Sequence, residues 1–183
     1  MHVEFANRRV IVAGAARGIG RAITQAFADR GAQVWACDLL TEEIEPLAGA
    51  RPGGGAVHAA HVDVTDMGSI ERLVASAASF EDAVDILAYV AGGVRGQSAR
   101  PVEDVPLADW RNIVDANLTG AFLFAKAVAP GMKRARYGRI VTISSRAALA
   151  TSLTGMQSYA AAKHGRSAWC GSSPRSSVRS ASR

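Results

Sequence analysis

Tyr159 and Lys163 stand four residues apart in Tyr159-Ala160-Ala161-Ala162-Lys163. On a helix, positions i and i+4 share a face, so this spacing sets a phenol beside an ammonium. A phenol with a pKa near ~10 carries protons poorly at neutral pH, and a neighbouring cation lowers that value by about 1–3 units, making it an acid/base group. Two more polar residues precede the pair. Asn117 lies in Asp115-Ala116-Asn117-Leu118-Thr119-Gly120, and Ser145 follows the apolar run Arg139-Ile140-Val141-Thr142-Ile143-Ser144, fourteen residues before Tyr159. Each has a plain structural reading when taken singly: a chance pair on a helix, a turn at Ser144-Ser145, an asparagine that caps or fills a gap. Their order and spacing are what suggest a site.

A second candidate site lies near the N-terminus, in Ala13-Gly14-Ala15-Ala16-Arg17-Gly18-Ile19-Gly20, which follows an apolar run and opens a helical one. Glycines in such a turn let the backbone approach a pyrophosphate, whose charge is held by the free N–H groups of a helix N-terminus. Asp38 comes eighteen residues beyond Gly20, at the expected end of the second strand. A carboxylate there accepts hydrogen bonds from ribose hydroxyls and repels a 2′-phosphate, favouring NAD over NADP. Arg17 pulls the other way, since a cation in the turn attracts that phosphate, but Asp38 would have to be desolvated against it.

Positioning these groups requires an α/β framework. Short apolar runs alternate with longer amphipathic ones, as in a parallel sheet wound with helices. Strands are expected at Arg9 to Ala13, Gln33 to Cys37, Ala56 to Val62, Val84 to Val90 and Gly138 to Ile143. Helices are expected at Ile19 to Arg30, more weakly at Glu42 to Ala48, then at Met67 to Phe80, Leu107 to Met132 and from near Ser158. Arg51 to Gly55 and Gly92 to Pro106 read as loops.

The glycine pattern, Gly-x-x-x-Gly-x-Gly, together with Tyr-x-x-x-Lys, resembles the short-chain dehydrogenase/reductase family, and the Ile143-to-Lys163 region is similar to 3-oxoacyl carrier-protein reductases. The resemblance implies a Rossmann-type doubly wound parallel sheet, a nicotinamide cofactor, a small-molecule alcohol or ketone as substrate, and a homo-oligomer. It implies that Tyr159 is the acid/base, that Lys163 also bonds the nicotinamide ribose, that Ser145 holds the substrate oxygen and that Asn117 anchors a relay water. Gly14, Arg17, Gly18, Ile19, Gly20 and Asp38 would bind the cofactor, Asp63 and Val64 would touch the adenine, and Ala91 and Gly92 would lie against the ribose, with Tyr159 and Lys163 also in contact. Tyr89 and Val90 stand where the family usually has two asparagines, whose backbone bonds must then be lost or supplied otherwise.

Family members run to about 250 residues, so their last strands and helix are expected to be missing from these 183. The match reads as ending near Gly165, giving a domain over residues 1–165 and a tail over 166–183. That tail holds seven serines and four arginines and no apolar period, so it reads as out-of-frame or disordered. The formal charge of +5 lies mostly there, since up to Gly165 there are 17 basic against 16 acidic side chains. A nucleic-acid partner is therefore not expected. A composition of 49% hydrophobic and 20% charged residues excludes disorder of the whole. No run approaches the ~20 apolar residues of a membrane helix, the N-terminus is no secretory signal, and Cys37 and Cys170 form no disulfide framework or metal motif, so a cytoplasmic protein without membrane or metal is expected. The alternative to an enzyme is a non-catalytic remnant with weak nucleotide binding.

Overall fold

The computed structural model describes residues 3–78, 83–148 and 155–172. Six strands form one sheet: β1 (Arg9–Ala13), β2 (Gln33–Asp38), β3 (Gly49–Ala50), β4 (Ala56–His61), β5 (Ile86–Tyr89) and β6 (Arg139–Thr142). Their spatial order is β3-β4-β2-β1-β5-β6, and all pairings are parallel except that of β3 with β4. The short β3 was not expected from sequence; it forms a hairpin arm that closes through Arg51 N–H to Gly55 O at 2.8 Å.

Among the described residues, six α-helices flank the sheet: α1 (Gly18–Ala28), α2 (Thr41–Ile44), α3 (Met67–Ala77), α4 (Leu107–Val114), α5 (Gly120–Arg134) and α6 (Gln157–Ser172). Strand alternation sorts the core into two layers. Ile11, Ala13, Leu87 and Tyr89 face Ile70, Leu73, Phe124 and Val128 of α3 and α5. Val10, Val12, Val34 and Ala36 face the side carrying Ala28, Ile44 and Leu47. A sheet buried on both faces needs strands that are apolar throughout, which is why β1 reads Arg-Val-Ile-Val-Ala with only Arg9 reaching the surface. The result is a doubly wound, Rossmann-type α/β sheet. Among the described residues no helix is long and apolar enough to cross a membrane.

Three expectations are adjusted by the structure. The helix read as starting at Met67 is seen to Ala77, and its expected end at Phe80 lies outside the described residues. The run from Leu107 to Met132 is not one regular helix: residues Asp115–Thr119 form a wide π turn between α4 and α5. The last helix does not stop near Gly165 but continues to Ser172. Sequence reading placed its end too early because an Arg/Ser composition carries no apolar period, whereas Arg166 and Trp169 reach inward with side chains long enough to find partners.

Candidate active site

The strand order reverses at β1, which pairs with β2 on one side and β5 on the other, so the carboxyl ends of β1 and β5 border a crevice. Gly14 leaves β1 there, its N–H donating to Cys37 O at 2.9 Å. The turn doubles back so closely that a Cβ on Gly20 would sit 1.9 Å from Gly14 O, which no side chain tolerates. Gly18, by contrast, has φ +50° and open space where its Cβ would be. No side chain caps the N-terminus of α1, and Ile19 beside it is 57% exposed. A helix start with unclaimed N–H groups under open space fits the pyrophosphate of a dinucleotide.

Asp38 closes this end. One carboxylate oxygen accepts from Ala16 N–H at 3.2 Å, the other from Leu40 N–H at 3.3 Å. Arg17 is engaged by Glu43 of α2 in a two-pronged ion pair, with Nε donating to Oε2 at 2.6 Å and Nη2 to Oε1. That contact holds the Glu43 carboxyl below its ordinary range. Arg21 ties the same segment down by donating to Glu43 O at 2.7 Å. Sequence reading missed Glu43, which lies on a helix of only four residues.

At the crevice floor, Asn117 is fully buried. Its Oδ1 accepts from Gly93 N–H at 3.0 Å, and its Nδ2 donates to Gly93 O at 2.8 Å and to Ile113 O at 2.9 Å. Gly92 is required by this arrangement: it has φ +129°, and a Cβ there would lie 2.2 Å from Asn117 Oδ1. Tyr89, the last residue of β5, is buried beside this clamp. Its hydroxyl donates to Ala116 O at 2.7 Å, in space left by the absent side chain of Gly120. Burial pushes that phenol far up. Asp63 Oδ1 accepts from Thr65 N–H at 2.8 Å and Thr65 Oγ1 at 2.7 Å, and these bonds hold its carboxyl below the usual range. Val64 is half-buried against the core beside it, and Ala91 N–H is fixed on Ala13 O at 2.9 Å.

The two segments carrying Ser145 and the Tyr-Lys pair meet at the end of β6. Lys163 Nζ donates to Ile143 O at 2.9 Å and lies 5.5 Å from the centre of the half-buried Tyr159 ring. Ser144 Oγ pairs with Ser167 Oγ at 2.9 Å, so that hydroxyl is drawn toward α6, while Ser145 O accepts Ala148 N–H at 2.9 Å to start a tight turn. The N-terminal end of α6 is fixed by Ser158 Oγ donating to Gln97 Oε1 at 2.9 Å and Gln157 Nε2 donating to Arg100 O at 2.8 Å. Arg166, missed from sequence, is 1% exposed and also reaches Ile143 O. Its signal was present: it stands at i+3 from Lys163 and so shares its face on any helix that continues.

Comparison with known proteins settles the kinship. The family described as short chain dehydrogenase matches residues 8–173. The chain belongs to that family. D-threitol dehydrogenase of Mycolicibacterium smegmatis is 37% identical over 156 residues, which are 85% of this chain and 58% of the relative. The 3-oxoacyl-acyl-carrier-protein reductase of Escherichia coli is 36% identical over 164 residues, 89% of this chain and 64% of the reductase. Among solved structures, a 7α-hydroxysteroid dehydrogenase complexed with NADH and 7-oxo glycochenodeoxycholic acid superposes with a TM-score of 0.79 at 32% identity, over 91% of this chain and 64% of that one. The chain thus spans about 58 to 64% of the length of these relatives. The family match runs through the residues of α6 that follow Gly165.

Proposed function

We propose that this chain is the nucleotide-binding and acid–base portion of an NAD-dependent oxidoreductase that interconverts a secondary alcohol and a ketone. The observation that carries the reading is Lys163, which donates to Ile143 O just before Ser144-Ser145 and lies 5.5 Å from the centre of the Tyr159 ring. A dinucleotide would be held by Gly14, Gly18, Ile19 and Gly20 at its pyrophosphate, by Asp38 at the adenosine ribose, by Asp63 and Val64 at the adenine, and by Ala91, Gly92, Tyr159 and Lys163 around the second ribose. When bound, its nicotinamide supplies or accepts the hydride.

The protein's own part is to move a proton and exclude alternatives. Tyr159 gives its proton to the carbonyl oxygen, or takes it from the alcohol, and a positive charge on Lys163 favours the phenolate this requires. Ser145 orients that oxygen, while Ser144 Oγ is paired with Ser167 Oγ on α6. Asn117 fixes the Gly92-Gly93 backbone that borders the site. A preference for NAD is supported by the Asp38 carboxylate at the end of β2, which would repel a 2′-phosphate, and by the pairing of Arg17 with Glu43. The partner is a small molecule. Leu107, Trp110 and Phe122, exposed on α4 and α5, give an apolar face for a homo-oligomer.

Thermal unfolding with and without nicotinamide dinucleotides tests the reading. NAD at a hundred times its Kd adds about 2.7 kcal/mol, which raises the midpoint of a domain of this size by about 5–10 °C. A larger rise with NAD than NADP, followed by NAD-dependent turnover of secondary alcohols that is lost in Tyr159→Phe, is expected. A transition indifferent to both dinucleotides refutes it. A rise without turnover selects the second reading, a nucleotide-binding remnant.

A further inference from the structure

Arg166 carries a permanent positive charge into the interior, where its contacts include two carbonyls and a ring. Nη1 donates to the Asn117 carbonyl at 3.1 Å, Nη2 donates to the Ile143 carbonyl, and the guanidinium carbon lies 5.7 Å from the centre of the Tyr89 ring. The Ile143 carbonyl is also the acceptor of Lys163 Nζ. Two cations therefore share one oxygen, and the Asn117 carbonyl, within the wide turn at Asp115–Thr119, accepts from Arg166.

We propose that Arg166 is a positioning residue that works against the acid–base pair: its guanidinium takes the Asn117 carbonyl and shares the Ile143 carbonyl, holding Lys163 beside a fixed cation and away from Asn117. This rests on the reading of Tyr159 and Lys163 as that pair. A fixed positive charge disfavours the ammonium form of a neighbour, and burial does the same. Both act here, burial more strongly, and Lys163 is brought down to about 7. Above neutral pH the amine is then mostly uncharged and does little to favour the phenolate of Tyr159.

The other titratable and charged groups around this cluster do not offset Arg166. Tyr159 faces Lys163 on α6 itself, and Tyr89 on β5 is held neutral by burial, with Cys37, Arg95 and Asp63 acting on it rather than on Lys163. On the neighbouring turns, Asp115 accepts from Thr119 Oγ1 at 3.1 Å, and Arg111 and Arg146 are exposed. Among the described residues, the charge that acts on Lys163 is that of Arg166.

The test reads Lys163 directly, without turnover. The full chain is labelled with 13C,15N-lysine and the side-chain resonances are followed from pH 5 to pH 11; the chain has only two other lysines, Lys126 and Lys133, so assignment is direct. The wild-type Lys163 midpoint is expected at about 7. In Arg166→Gln, which keeps a donor for the carbonyls and removes the charge, the midpoint rises by about one unit or more, and in Arg166→Met it also rises. Arg166→Lys retains a cation and leaves it low. At pH 8 a rise from 7 to 8 increases the protonated fraction about fivefold, and with it any turnover that needs the charge. A wild-type midpoint at the ordinary lysine value overturns the proposal. So does an Arg166→Gln midpoint equal to that of wild type, and the wild-type measurement decides even if a variant fails to fold. Failure of the oxidoreductase reading appears separately, as absence of dinucleotide stabilisation in every variant, with the Lys163 midpoints unaffected.

Discussion

Replacing Asn117 by alanine removes one buried amide and three hydrogen bonds at once. Gly93 N–H loses its acceptor, and the carbonyls of Gly93 and Ile113 lose their donor. The Gly93 groups are partly accessible and recover some bonding from water, whereas Ile113 is buried. At about 0.5–1.5 kcal/mol net per bond, the loss is about 2–4 kcal/mol, with the void adding to it. For a domain of this length, 1 kcal/mol moves the thermal midpoint by about 2–4 °C, so Asn117→Ala unfolds about 5–15 °C below wild type. Asn117→Asp makes a sharper test, because it is nearly the size of the original. It keeps an acceptor for Gly93 N–H but turns a carboxylate oxygen toward two carbonyl oxygens in a buried place, where a charge without a donor costs more than a gap. The expected order by circular dichroism at neutral pH is wild type, then Ala, then Asp. Amide hydrogen exchange should show Gly93 faster in both variants. An Asp variant more stable than the Ala variant, or an Ala midpoint equal to wild type, would refute the claim that this amide clamps the Gly92-Gly93 backbone.

Two more perturbations address neighbouring contacts. Tyr89→Phe removes the hydroxyl that donates to Ala116 O in a fully buried place, and is expected to cost about 1–2 kcal/mol in chemical denaturation while leaving the dinucleotide preference unchanged. Glu43→Gln releases Arg17 from its ion pair, so that the guanidinium can meet a 2′-phosphate; titration calorimetry is expected to show NADP affinity raised about three- to tenfold relative to NAD, less at high salt because the pair is exposed.

Much of this arrangement was legible in the sequence where local pattern and global fold agree. The strand β1 and the turn to Gly20 read directly because a sheet covered on both faces demands an unbroken apolar run, and a phosphate-binding turn demands glycine. The same logic placed β2, β4, β5 and β6 to within a residue or two. Contacts that depend on a distant partner were not legible. Nothing around Glu43 announces Arg17, twenty-six positions away. The partner of the Tyr89 hydroxyl was not legible either, since Ala116 and Gly120 are brought to the phenol only by packing. The π turn at Asp115–Thr119 escaped because its sequence is compatible with an ordinary helix, and a wide turn is selected by what its carbonyls must reach.

Over residues 166–172 composition was a poor guide. A stretch of serine and arginine was read as unable to fold, yet the first residues of that stretch extend α6 and fasten it. Arg166 bonds two carbonyls, Ser167 meets Ser144, and the Trp169 ring stands edge-on to Phe122 at 6.3 Å. With Ser158 and Gln157 anchored at the other end, the helix turn that carries Tyr159 and Lys163 is held from both sides. Positional precision, which a two-turn helix would not provide, is therefore supplied by the same side chain that places a cation against Lys163. Fixing the helix and suppressing the lysine's charge are thus separable requirements met by one residue. Arg166→Gln divides them, since an amide can still hold a carbonyl and bears no charge.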